Sequence, residues 1–400
     1  MRSIHSTQVA SAFLALAAWT CSNATDGGGP MPASVVVAPD TAILQDDSLQ
    51  LRTTVQDAAG APISAVVNYT SLSPSIATVS GGGLVRSQGP AGVALITVHV
   101  SATVADTAMI TVLDSTRITR LALSARPTFI ASSGNIAYIT RLDVPWVKRL
   151  DLTSTAFTDS AQAGSLPCGV VFNPAGTRAY VANQGSQNIT VFNVATGVAI
   201  DTFPVTGDPL PVAMSLDGTT LFVTTNVNRL YKLNSTTGAV LDSMNLPATS
   251  HHLFVHPNGS LLYVATRDGG SVLEVNWHTM TIARTFTLGV QTLGMEMAPD
   301  RSELYVTSGT TDSLYIVSLA SGAVSTAPVG AGASTIALSA TGARLYVGLL
   351  FAGKVEVLNR TTRAHIKTIR TGGTVREMAL DAARGRIVVT NDAGWVDIVR

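Results

Sequence analysis

Tyrosine recurs in this chain with a period that few folds accommodate. Tyr138, Tyr180, Phe222, Tyr263, Tyr305, Tyr346 and Val388 fall at successive spacings of 42, 42, 41, 42, 41 and 42 residues. Each sits in a copy of the segment seen most fully at 173–183, Asn-Pro-Ala-Gly-Thr-Arg-Ala-Tyr-Val-Ala-Asn. A unit repeated at such a period cannot bury its own apolar face and must stack on its neighbours. A period of about 40 residues carrying about four short strands predicts β-propeller blades.

The grammar inside each repeat agrees. In the second repeat an inner strand at 169–172 meets a turn at Pro174-Ala175-Gly176. Strands at 178–183 and 189–194 follow, then a turn at Ala195-Thr196-Gly197 and an outer strand at 199–205. Asp217-Gly218, Asn258-Gly259, Pro299-Asp300 and Thr341-Gly342 repeat the first turn. Gly and Asn tolerate the positive φ that tight hairpins require. Val170, Val212, Leu253, Met295, Ile336 and Met378 form one apolar column of the inner strands, read as core. Seven repeats predict seven blades over 117–400; the first is the weakest, so a six-bladed count stays open. No outer strand follows 396–399, and a surplus strand at 118–123 precedes the first repeat. That strand is expected to pair with the last blade and close the ring.

Tyr180-Val181-Ala182-Asn183, with its variants Tyr263-Val264-Ala265-Thr266, Tyr305-Val306-Thr307-Ser308 and Tyr346-Val347-Gly348, resembles the YVTN family of propeller repeats. The resemblance implies the fold. For function it implies only a range: surface-layer proteins, lactonase-like enzymes, and subunits of quinone- or haem-dependent oxidoreductases. The chain lacks a haem-binding Cys-x-x-Cys-His segment, which argues against the haem-dependent relatives.

Short alternating runs at 35–37, 49–51, 66–69, 76–79, 94–98 and 109–112, separated by Gly and Pro, predict a small β-sandwich over 33–114. Tyr69, the segment 71–79 (Ser-Leu-Ser-Pro-Ser-Ile-Ala-Thr-Val), Gly83-Leu84-Val85 and 92–97 resemble the group-2 bacterial immunoglobulin-like domains. Tyr69 stands where those domains usually carry tryptophan. The resemblance implies a spacer or an adhesive module. The expected fold class is therefore all-β, a small Ig-like sandwich followed by a seven-bladed propeller.

Residues 1–24 read as an export signal and the start of a tether. Met1-Arg2 precedes an apolar run at 9–18 that is too short to span a bilayer, and Cys21 follows. The arrangement resembles a bacterial lipoprotein signal, with Cys21 as the lipidated residue; simple secretion with cleavage after Ala24 is the other reading. With 25 basic and 25 acidic residues the chain has no net charge to steer it to nucleic acid. The expected location is the cell envelope, held to the membrane only by the lipid.

Propeller ligands meet the mouth of the central channel, where inner strands begin. Two aligned columns mark that mouth: Arg126, Cys168, Leu210, His251, Leu293, Ser334, Arg376, and Pro127, Gly169, Pro211, His252, Gly294, Thr335, Glu377. Arg126 and Arg376 belong to blades that adjoin in a closed ring. Two readings are open: a clamp for a carboxylate or phosphate, or an ion-pair cluster with Glu377. Glu296 interrupts a column otherwise held by Phe129, Val171, Ala213, Phe254, Ala337 and Ala379. It reads as a general base or as the lining of a wet channel. Cys168 reads as a small buried residue.

His251 and His252 are expected on opposite faces of their strand. His252 and His256, four residues apart, would lie about 13 Å from each other and could not share an ion, so no metal and no cofactor is expected. The expected ligand is a small anionic or polar molecule, an anion being bound more tightly as the histidines gain charge near pH 6.5. A cell-envelope protein or glycan is the other expected partner. The favoured function is an exported binding or scaffold protein. The alternative is a propeller hydrolase or lyase using Glu296 and His252.

Overall fold

The computed structural model of the chain describes residues 30–44, 48–87, 92–112 and 118–399. The signal, the tether and Cys21 lie outside the described residues. Every regular element described is a β-strand. The chain divides between residues 113 and 114 into two compact units.

In the first unit, Thr41–Leu44, Ala105–Val112, Gly92–His99 and Asn68–Ser71 form one sheet in that order. Two smaller sheets complete it: Ser34–Ala38 with Arg52–Gln56, and Ser48–Gln50, Leu84–Ser87 and Ala77–Val79. Gly92–His99 alternates as a half-buried strand must, sending Ala94, Ile96 and Val98 into a core with Val35, Val37, Leu51 and Ile110. The strand expected at 66–69 begins only at Asn68. Thr41–Leu44, which pairs parallel with Ala105–Val112, is too short to show a period in the sequence.

The second unit contains seven four-stranded antiparallel sheets among the described residues. Six use consecutive strands, with inner strands Pro127–Ser133, Pro167–Phe172, Pro209–Met214, Ser250–Val255, Met295–Met297 and Ala333–Leu338. The seventh joins Val375–Asp381, Arg386–Asn391 and Trp395–Val399 to Ile118–Ala122, in register from Ile118↔Val399 to Ala122↔Trp395. Successive inner strands are neighbours, and the seventh neighbours the first. The fold is of the β-propeller type, and the strand before the first repeat closes it.

Stacking explains the tyrosine period. Tyr138, Tyr180, Tyr263 and Tyr305, on the second strand of their sheets, are at most 1% exposed, as is Phe222. Polar latches join the sheets at matching positions. The backbone carbonyl just after the third strand accepts a side chain from the preceding sheet: Val194 from Arg149 at 2.8 Å, Ser235 from the Tyr180 hydroxyl at 2.9 Å, and Leu319 from Arg284 at 2.7 Å. Arg386 does the same to Leu152, tying the seventh sheet to the first. At the turn before the second strand, Gly176, Gly218, Gly259 and Gly342 hold φ between 66° and 73°. Arg301 takes that conformation in the fifth repeat, at φ 61°.

Candidate functional site

The inner strands enclose a cavity of about 480 Å³, walled by residues such as Val170, Val212, Met295, Ile336, Phe129 and Phe254. His251, His252, Glu296 and Glu377 are its polar lining. Part of the column read as core therefore faces the channel. A second cavity of about 340 Å³, lined by Arg376, Arg267, Ser334 and Phe351, lies where the inner strands begin. The two share Phe129, His251 and Glu377. The backbones crowd at this end. A side chain at Gly169 would meet the Leu210 carbonyl of the next sheet at 2.4 Å from its Cβ.

A repeated bulge decides where the mouth side chains point. Pairing slips by one residue between Ser250 and His252, and equivalent slips occur between Pro127 and Ile130 and between Val375 and Met378. An extra residue in one strand breaks the alternation of faces. His251 and His252 were expected on opposite faces; both line the channel, because the bulge falls at His251. Arg376 and Glu377 lie in the seventh sheet's bulge and both border the outer cavity.

The arginine pair does come together, around an acid that the aligned columns did not include. Arg126 donates to Asp392 Oδ2 at 2.9 Å, and Arg376 donates to the same oxygen. Burial works against the Asp392 charge, but hydrogen bonds from both arginines outweigh it and hold the carboxyl below its usual range. The pair was expected either to clamp an anion or to pair with Glu377. The carboxylate it holds is the chain's own, from the loop before the last strand, and Arg126 borders neither cavity.

Neither Glu296 nor Glu377 is bonded to these cations, although Glu377 follows Arg376 in the chain and shares the outer cavity with it. Each turns back on its own backbone, accepting from Met297 N–H at 3.0 Å and Met378 N–H at 3.1 Å, and Glu377 also accepts from the Thr335 hydroxyl. Neither has a cationic partner among the described residues. Desolvation raises both to about 7, the hydrogen bonds only partly opposing it. A carboxyl raised in this way favours the fold at low pH. Its contribution is complete below about 4.5 and is lost as pH rises through about 7.

Burial lowers both His251 and His252 to about 4, Arg267 adding to the effect at His251 and His251 at His252. The expected charging near pH 6.5 is thus corrected: desolvation keeps both rings neutral, and the carboxyls titrate instead. Both Nδ1 atoms are buried without a partner. His256 serves a turn, its Nδ1 accepting from Asn258 N–H at 2.9 Å.

Cys168 is buried, its thiol facing the carbonyls of Pro209 at 3.2 Å and Ala182 at 3.4 Å, and burial pushes its pKa up to about 12. It is a neutral thiol near pH 7, and the thiolate is the reactive form. In a Cys21→Ser background, a disulfide reagent at pH 8 is expected to label nothing in the native protein and one thiol after denaturation. Rapid native labelling would show that the channel wall opens.

The architecture and its central channel define a β-propeller protein with a largely apolar cavity at the ring axis, carrying four polar side chains. No family model and no curated protein matches the chain. Among solved structures 1804 chains match, so the architecture is common and carries no function by itself. One of them, a chain of Kuenenia stuttgartiensis hydrazine synthase, aligns with a TM-score of 0.65 at 17% identity, covering 70% of this chain and 97% of that one. At that identity the likeness is one of fold.

Proposed function

We propose that the chain is an exported cell-envelope binding protein. In this reading a seven-bladed propeller of the YVTN type presents its central channel to a small molecule. An Ig-like domain of group 2 serves as the spacer, and Cys21 carries the lipid anchor. The observation that supports binding is the convergence of His251, His252, Glu296 and Glu377, from three different sheets, on one cavity of about 480 Å³. Pockets of this size, mostly apolar with a few polar groups, are the usual form of small-molecule sites.

The second reading is a hydrolase or lyase. A Glu296 carboxyl raised to about 7, lining the same cavity as a neutral His252, is the kind of acid and base that general catalysis uses near neutral pH. Calorimetry and thermal-shift screening of polar metabolites and cell-wall fragments test the binding reading, with Val212→Trp as a variant that fills the channel. Wild type is expected to respond to at least one compound and Val212→Trp to none. Equal responses would move binding to the outer faces of the sheets and leave a scaffold. Product formation during the screen would favour the enzyme.

A further inference from the structure

Charge is distributed unevenly around the two cavities. The two cations of the closing sheets share one carboxylate at the rim, where Asp392 accepts from both Arg126 and Arg376. Inside, two carboxylates face the channel with only N–H and hydroxyl partners. The walls beside them are apolar, and the half-buried rings of Phe129 and Phe254 are among them. Both carboxylates are partly buried, and withdrawing a charge from water is costly unless it is paired. An unpaired couple facing an open cavity has room for a cation that the chain does not supply. Aromatic faces attract cations as well.

The shape selects among cations. A bare divalent ion needs about six or more oxygen ligands close together. No group of three or more His, Cys, Asp or Glu among the described residues is arranged to hold a metal. Glu296 and Glu377 come from the fifth and seventh sheets, with the apolar Ile336 of the sixth between them in the wall. An organic cation suits this better, because its carbon body would cover the apolar wall while its charge meets a carboxylate.

We propose that the channel takes a small organic cation, a primary or quaternary amine with an apolar body, held by Glu296 and Glu377 against Phe129 and Phe254. The proposal rests on the channel being the binding site. It reverses the expected ligand charge, because the cavity between the inner strands is lined by Glu296 and Glu377 and by neither member of the arginine pair, which shares Asp392 at the rim.

The groups facing the carboxylates set the pH response. His251 and His252 from the fourth sheet are lowered to about 4 and stay neutral between pH 6 and 8. Thr335 from the sixth sheet does not titrate in this range. Arg376 and Arg267 border the outer cavity, and the bond between Arg126 and Asp392 favours the charged form of each. The glutamates alone change, at about 7. The ionised fraction of each grows about tenfold from pH 6 to pH 8, so amine affinity should rise about tenfold or more.

The test is calorimetry on the full chain at constant ionic strength, with butylammonium and tetramethylammonium as probes. Butanol, butyrate, potassium and calcium are the controls. At least one ammonium probe is expected to bind at pH 8 and to bind about tenfold more weakly at pH 6. Glu296→Gln and Glu377→Gln, whose native fold is checked by circular dichroism, should each lose about tenfold at pH 8 and flatten the pH dependence. Arg126→Ala should change neither. Butyrate or butanol binding as well as the ammonium probes would overturn the cation class and leave the channel a binding site. Equal binding by potassium or calcium would overturn the organic class. If no probe binds and the wider screen responds equally in Val212→Trp, both the cation and the channel reading fall.

Discussion

Deleting residues 118–122 is expected to lower the melting temperature of the propeller unit by about 10 °C or more. The strand contributes a five-pair ladder with Trp395–Val399 and packs half-buried Ile118 and Leu121 against the cores of the closing sheets. It also supplies the partner of a buried charge. Arg120 meets Asp397 with two bonds, at 2.8 and 3.0 Å, and its guanidinium lies 4.2 Å from the centre of the Trp395 ring. Asp397 is fully buried, and without Arg120 it keeps among these only the Trp395 indole N–H, at 3.0 Å. Leaving a buried polar group short of partners costs about 1–3 kcal/mol. Two apolar side chains returned to water add about 2 kcal/mol, since they start only half-buried. Edge pairing is lost as well. A total near 4 kcal/mol at about 2–4 °C per kcal/mol gives the predicted shift. Arg120→Ala alone should show a smaller drop, because Arg120 is 45% exposed. An unchanged midpoint for the deletion, read by calorimetry, would mean that the ring is held shut by its inner strands alone.

The second large effect is expected at Asp381. Its side chain is fully buried beside Arg386, which is 3% exposed and donates to Asp381 Oδ2 through Nε at 2.9 Å. Arg386 also donates to the Leu152 carbonyl, and Arg384 bonds both Asp381, at 3.2 Å, and Asn135, at 2.8 Å. Asp381 thus organises two arginines that tie the seventh sheet to the first. Removing one partner of a buried pair costs about 3–5 kcal/mol, because the other charge stays buried and unmatched. Asp381→Ala is expected to lose about 4 kcal/mol in denaturant unfolding. Asp381→Leu combined with Arg386→Met should recover more than half of that, since a buried pair replaced by apolar groups of similar volume is often nearly neutral. Failure of the double variant to recover would mean that the latch to Leu152, and not the charge pair, holds the junction.

Much of the candidate site could be read from aligned repeats, and its limits are specific. Alignment brought His251, His252, Glu296, Arg376 and Glu377 to one end of the ring because equivalent positions in a repeat protein share a location. It missed Asp392, Arg267 and Phe351, which lie on loops between the second and third strands, where the repeats differ most. The columns compared only inner strands. Asp392 could have been found by asking which loop acids flank the arginine pair across the closure.

The order of residues along the chain determined the period, the turns, the number of strands per repeat and the identity of the closing strand. Those properties follow from local rules: alternation over two residues, positive φ at a turn, and one unit repeated at nearly constant length. The tertiary structure alone decided the charge and direction of the site. A bulge at His251 re-aimed a histidine that simple alternation sends to the other face. Ring closure brought Asp392 to Arg126, 266 residues apart in the chain. Desolvation exchanged the titrating groups, lowering the histidines to about 4 and raising the glutamates to about 7. Each of these depends on which groups surround a residue in three dimensions, because the cost of burying a charge is set by its whole environment and not by its neighbours in sequence.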